Sequence, residues 1–445
     1  MLLEAVAANA NPKPIRGILA EPRSNQNDAC AATNADILGY RQMNTTTHVR
    51  WLTRNVVAIG LLSLFSDMGH ELTTAVLPLF LATFGGGAAA LGVIEGVSDA
   101  ASSLLKLWMS YYSDRVGKRK PILVAGYLVT AMMGSFAFVT AWWQLLVIRA
   151  IAWIGRGARG PVRDALLSES VPPEAHGRAF GFEGAMDTLG AILGPAIALS
   201  LVGVIALRHI FLIAFIPGAI TVFIAWFVVQ DTPRKPQAHL RLLASLRDLP
   251  PMFWRFVGAV GVFGLGNFAH TLLILRAVSL LTPNYGSVVA GRYGIALYIL
   301  HNVLYAAVSY PAGALGDRVN KKTLLAAGYA MFGVMCLLFL TNPTSIPMLA
   351  LLFILAGVYV GIVDAMERAL AADLLPIEQR GVGYGALATA NSFGDLLSSI
   401  IVGELWAHVS IAAGFGYAAV LTLAGAFFLL LVPTRDPRPI AGLRP

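Results

Sequence analysis

The sequence predicts an all-α membrane protein of twelve transmembrane helices in two pseudo-symmetric six-helix halves. Three observations carry that expectation: a hydropathy far above that of a soluble domain, a basic loop that occurs twice, and a one-sided distribution of positive charge. Of the 445 residues, 57% are hydrophobic and 13% charged, and the mean hydropathy is +0.70. Soluble domains carry about 25% charged residues, so most of this chain belongs in lipid.

A helix needs about 20 apolar residues to cross the hydrocarbon core. Twelve such stretches occur, roughly at 52–84, 87–112, 120–140, 142–169, 177–203, 206–230, 251–281, 287–315, 322–341, 345–371, 380–405 and 410–433. The longer ones must tilt, kink or protrude. The first 49 residues are polar and lack the apolar core of a signal peptide. They are expected to be a disordered cytoplasmic tail, with Met43 close enough to the first span that residues 1–42 read as dispensable or as an upstream extension. Residues 434–445 form a second cytoplasmic tail.

The loop Ser113-Asp114-Arg115-Val116-Gly117-Lys118-Arg119-Lys120 recurs as Gly316-Asp317-Arg318-Val319-Asn320-Lys321-Lys322, each copy between two apolar spans. The repeat reaches further. Glu174-x-x-Gly177 matches Glu378-x-x-Gly381, Asp187 matches Asn391, Gly190 matches Gly394, and Asp67-x-x-His70 matches Asn267-x-x-His270. The offsets all lie between 200 and 204, counted from the same numbering. Two homologous halves follow, 50–230 and 251–433, joined by a cytoplasmic linker at 231–250 that is rich in Pro, Arg and Lys.

The net charge of +8 would fit a nucleic-acid binder if it formed one patch. Instead the positive clusters 115–120, 234–247, 318–322 and 435–444 fall on one side of the helix count, and the opposite loops 83–90, 282–288 and 341–347 carry no Lys or Arg. Positive loops stay in the cytoplasm. Both termini are therefore expected there, in a multi-pass protein of the cytoplasmic (inner) membrane, with membrane lipid as surroundings and no nucleic-acid partner. The two cysteines, Cys30 and Cys336, offer neither a disulfide framework nor thiolate spacing for a metal. A monomer is expected.

This arrangement resembles the major facilitator superfamily. The loop between spans two and three is similar to the family's G-x-x-x-D-R-x-G-R-R motif at Asp114, Arg115, Gly117, Lys118 and Arg119, with Ser110 in place of the leading glycine. The second copy keeps Gly313, Asp317 and Arg318 and has Asn320 for the later glycine. Span five carries Gly190-x-x-x-Gly194-Pro195, which resembles the family's antiporter signature but ends in Ala198 and Leu199 instead of two glycines. The resemblance implies a gating latch at the loop, and either close helix packing with a kink or an exchange-specific role at Gly190, Gly194 and Pro195.

A charge at mid-bilayer costs roughly 2.5–3.5 kcal/mol on insertion scales and marks function by default. This chain keeps many. Asp67, His70 and Glu71 share one face of span one, Glu95 and Asp99 lie one turn apart in span two, and Arg159 and Arg163 one turn apart in span four. Asp187 lies in span five, His270 in span seven, and Asp364 and Glu367 in span ten. The resemblance implies that spans one, four, seven and ten line the transport cavity. Within span four, Gly155 to Asp164 holds three glycines and a proline, enough to break the helix. Its arginines then read either as partners of Glu95, Asp99 or Asp187 or as contacts to an anionic substrate. For Asp67, His70 and Glu71 three readings stand: a proton-coupling site, a divalent-cation site helped by His270, or a satisfied polar cluster.

Secondary active transport of a small molecule or ion is the function these features support. Alternating access, driven by protons in an export antiport, is the favoured mode. Proton symport, divalent-metal export and a non-transporting sensor are the alternatives. No nucleotide-binding loop is present, and no cofactor, resident metal or catalytic residue is expected.

Overall fold

The computed structural model describes residues 51–116, 118–172, 175–231, 246–316, 318–376 and 379–433. The two tails, most of the linker, Gly117 and Asp317 lie outside these residues. The described chain is almost wholly helical: α1 Arg54–Ala82, α2 Ala88–Val116, α3 Lys120–Ala131, α4 Trp142–Glu169, α5 His176–Leu201, α6 Leu207–Phe223, α7 Pro251–Gly264, α8 His270–Gly316, α9 Lys321–Phe339, α10 Ile346–Leu374, α11 Arg380–His408 and α12 Ile411–Leu431. A 3-10 segment, Met132–Phe138, extends α3, and a π turn, Ile224–Val228, extends α6.

Nine helices among the described residues are long and apolar enough to cross a membrane. The exceptions are instructive. Helices α1 and α4 carry the charged clusters, and α7 has only 14 residues. Span seven is therefore not the continuous helix expected over 251–281. It stops at Gly264, passes through 265–269 and restarts at His270. Backbone packing explains the break: a Cβ at Gly394 of α11 would overlap the Gly264 backbone, and one at Gly266 would lie 2.8 Å from the Ala418 carbonyl. The groups freed there find partners on α11. The Asn267 carbonyl accepts from Ser398 Oγ at 2.5 Å, and the Ala269 amide donates to Ser399 Oγ at 3.1 Å. Irregular backbone at membrane depth is tolerated only when buried in protein in this way.

The break expected at 282–286 is present as a kink: within α8 two helical stretches meet at Gly286, whose φ of 74° suits a residue without Cβ.

A second departure concerns span four. The glycine- and proline-rich stretch does not break α4, which runs unbroken with Pro161 inside it. Its glycines serve contact instead. A Cβ at Gly155 would lie 2.7 Å from the Gly126 carbonyl of α3, and one at Gly157 would overlap the Ser102 backbone of α2. Small residues at helix crossings allow this approach.

Helices before residue 232 pack mainly on one another, as do those after 245, and the principal crossings between the groups are α2 on α11 and α5 on α8. Among the described residues, hydrogen bonds join the groups between the end bearing loop 83–87 and the middle of the bundle. They are Tyr298 to Glu71, Asn302 to the Ala191 carbonyl, and Ser103 with Ser392. Gly92 abuts Ser399 near that same end. Toward the other end, Trp108 of α2 and Tyr310 of α8 are exposed. The two groups are thus joined from the end of loop 83–87 to the middle of the bundle.

Candidate functional site

The charged residues of α1, α2 and α4 meet in one buried cluster. Helical spacing sets two parallel rungs between α2 and α4. Arg149 pairs with Glu95 at 2.5 Å, and one turn along, Trp153 Nε1 donates to Asp99 at 2.8 Å. The Arg149 guanidinium also lies 4.1 Å over the Trp153 ring. Arg149 and Glu95 are 1% and 3% exposed, so neither charge has water to fall back on. On α1, Asp67 faces Arg156 at 3.6 Å, and His70 Nε2 lies 3.3 Å from Glu71 Oε1. The His70 ring packs edge-on to Trp153 at 4.6 Å. Glu71 Oε2 accepts from the Tyr298 hydroxyl of α8 at 2.8 Å, which ties this cluster to the second group of helices.

The α4 arginines keep one expected pairing, Arg163 with Asp187, and otherwise divide differently. Arg163 binds Glu183 at 2.7 Å, Ser63 at 2.9 Å and its neighbour Asp164 at 3.0 Å, with Asp187 more distant at 3.9 Å. Arg159 pairs with none of Glu95, Asp99 and Asp187. It is buried with its guanidinium 4.4 Å over the Tyr127 ring. Glu95 takes Arg149 instead, because α2 and α4 cross with those positions level.

The second group of helices has its own polar chain, centred on the break before α8. His270 Nε2 is joined to the Tyr359 hydroxyl at 2.9 Å, that hydroxyl donates to Asn267 Oδ1 at 3.1 Å, and Asn267 Nδ2 donates to Asp395 at 3.1 Å. The His270 ring lies 4.7 Å from His301, and His301 stacks on Tyr298. On α10, Glu367 accepts from Tyr329 at 2.5 Å and Asn391 at 2.6 Å, and Asp364 accepts from Tyr305 at 2.7 Å.

His70 and His270 have different neighbours, Trp153 and Glu71 for the first, Tyr359 and His301 for the second. No group of three His, Cys, Asp or Glu suited to a metal ion occurs among the described residues. The sequence reading singled out neither Asp395 nor Tyr298 and Tyr359. A carboxylate in the apolar α11 was visible by composition alone, but tyrosines in a membrane helix read as ordinary interior residues.

Of the gating motif, Gly117 and Asp317 fall outside the described residues, as do the side chains of Asp114 and Arg115. Lys118 and Arg318 are exposed. Arg119 is buried against Glu169 at 2.5 Å. Gly190 and Gly194 press against α1, where added Cβ atoms would overlap the Leu64 and Met68 carbonyls, and Pro195 follows inside α5.

The Major Facilitator Superfamily sequence profile matches residues 59–299 and 277–445. An uncharacterized MFS-type transporter of Methanocaldococcus jannaschii is 32% identical over 388 residues, covering 86% of this chain and 96% of the relative. The multidrug resistance protein MdtG of Escherichia coli is 24% identical over 409 residues, covering 86% and 93%. Among solved structures, the nucleoside transporter NupG superposes with a TM-score of 0.72 at 13% identity, over 85% of this chain and 98% of that one. A bacterial homolog to the human lysosomal transporter Spinster, in an inward-facing and unoccupied conformation, gives 0.65 at 16% identity, over 86% and 95%. At these identities the structural likeness concerns the fold alone.

Proposed function

This chain belongs to the major facilitator superfamily, a family of membrane transporters and not of enzymes, and we propose that it exports a small organic solute in exchange for protons. Two six-helix halves, 50–230 and 251–433, alternate around a central polar site. The observation that carries the reading is the Glu71–Tyr298 hydrogen bond, in which a cavity carboxylate of α1 is also a link between the halves. A proton added to Glu71 changes that link, so protonation and conformation act on one another. His70, 3.3 Å from Glu71, can exchange a proton with it. Asp67 with Arg156, and Asp364 with Tyr305, add polar groups for a solute between the halves. Under positive-inside orientation the end at 118–120, toward which Trp108 and Tyr310 are exposed, faces the cytoplasm, which suits loading of an exported solute from within. The likeness to a multidrug resistance protein also favours export of an organic solute.

The test begins with a thermal-shift screen of purified protein against organic cations, organic acids, sugars and divalent metals. Proteoliposomes then measure transport of the stabilising compound. Asp67→Asn and Glu71→Gln are expected to abolish accumulation driven by a pH gradient while exchange at equal pH survives. Undiminished pH-driven transport in the Asp67→Asn/His70→Ala/Glu71→Gln variant would show that the cluster is only structural.

A further inference from the structure

Behind the α1 cluster a small cavity lies between α1, α3 and α6. Its walls include Ser66, His70, Tyr127, Thr130, Met133 and Thr221. Ser66 Oγ, His70 Nδ1 and the Tyr127 hydroxyl are buried polar atoms without a protein partner. Their residues are 6%, 8% and 1% exposed. Three unpaired polar groups around one cavity are unexpected by chance, because buried polar atoms in native proteins almost always have partners. Thr130 and Thr221 donate to the carbonyls of Gly126 and Gly218, at 2.8 and 2.6 Å, which leaves lone pairs on their hydroxyl oxygens.

We propose that this cavity binds one water molecule, held by Ser66 Oγ, the Tyr127 hydroxyl and His70 Nδ1. A buried water makes about 3 hydrogen bonds to otherwise unsatisfied groups, which matches the three atoms here. The surroundings select a neutral ligand over a cation. No carboxylate lines the cavity, and the Arg159 guanidinium lies against the ring of Tyr127. The charged or titratable groups that bear on His70 are Glu71 and Asp67 on its own helix, Arg149, Arg156 and Arg159 on α4, and Tyr127 on α3. From α6 the lining residues are Ala214, Gly218 and Thr221, none of them charged.

A water differs from a fixed side-chain partner in one useful respect. It can accept or donate. With its proton on Nε2, neutral His70 accepts from the water at Nδ1; with its proton on Nδ1 it donates to that water. In the second tautomer the Nε2 lone pair, 3.3 Å from Glu71, can take the proton of a protonated Glu71, and the imidazolium keeps the same Nδ1–H bond to the water. His70 therefore keeps a partner on its far nitrogen throughout, and a proton can pass between Glu71 and His70 without orphaning Nδ1. The site thus supports the exchange proposed above, but the water itself is tested without any transport measurement.

The test is the sign of a stability change. Removing a hydroxyl that a water uses leaves the remaining groups unpaired, whereas removing an unsatisfied buried hydroxyl relieves a desolvation penalty. Ser66→Ala and Tyr127→Phe are each expected to lower the melting temperature of the purified protein. An unchanged or raised melting temperature in both would overturn the proposal. Were either variant to misfold, an experimental map that shows ordered waters elsewhere decides the matter: a peak within hydrogen-bond reach of all three atoms supports the site, and none refutes it. A melting temperature that rises with sodium at constant ionic strength would assign the cavity to a cation and overturn it equally.

Discussion

Replacing Tyr298 by Phe removes one hydrogen bond and almost nothing else, and that bond joins the two groups of helices. Its acceptor is a carboxylate, Glu71, at 2.8 Å, and Tyr298 is 7% exposed. Hydrogen bonds to charged groups contribute about 1.5–3 kcal/mol net. A bond made only in the conformation closed at loop 83–87 biases the conformational equilibrium by that amount, about 10- to 150-fold. Loss of the hydroxyl should therefore move the population toward the form open at that end. Spin labels at Thr83→Cys and Asn284→Cys, on either side of the closed end, should report a larger fraction of long distances in Tyr298→Phe than in the parent. Labels at Lys118→Cys and Arg318→Cys should report the reverse. Superimposable distance distributions would mean that the bond persists through the cycle, and the coupling of Glu71 to conformation would be refuted.

Three further outcomes are expected. Membrane-impermeant thiol reagents should reach Lys118→Cys and Lys321→Cys only from the cytoplasmic face and Asn284→Cys only from outside; cytoplasmic labelling of the last would overturn the topology. Arg149→Met should destabilise the protein by about 3–5 kcal/mol, because it leaves Glu95 buried and uncompensated, and Glu95→Gln added to it should recover most of the loss; a double variant no more stable than the single would show that the pair is not the source. Gly92→Leu should wedge α2 from Ser399 of α11 and favour the same open form as Tyr298→Phe, with normal folding in detergent; unaltered label distances would place the hinge elsewhere.

Much of the fold was legible because lipid imposes so few solutions. Apolar length is a first-order signal, and it placed most of the helices near their observed bounds. The failures came where backbone geometry depends on a neighbour. Gly264 and Gly266 lie in a sequence as apolar as any around them, and only contact with Gly394 and Ala418 makes the chain stop being helical there. In α4 the inference ran the opposite way. Gly155 and Gly157 look like helix breakers, yet Gly126 and the Ser102 backbone occupy the space that their missing Cβ atoms leave. The same residue type interrupts one helix and seats another, so the partner helix decides which occurs.

The site was legible as a set of residues and not as a set of pairs. Spacing placed Asp67, His70 and Glu71 on one face, and they do lie together. What spacing cannot provide is the axial level at which two helices cross, and partner choice depends on that. Arg149 and Trp153, four residues apart, meet Glu95 and Asp99 in register, so the arginine farthest from the glycine-rich stretch takes a carboxylate that Arg159 or Arg163 could have held. Arg159 is then left against Tyr127, next to the cavity where Ser66 and His70 have unpaired atoms. The two histidines follow the same logic. Both occupy matched places in the repeat, but His70 lies beside a carboxylate and His270 beside a tyrosine and another histidine. Pseudo-symmetry of sequence therefore yields unlike chemistry on the two sides, and the carboxylate of the proposed proton coupling lies on the α1 side, linked to α8 through Tyr298.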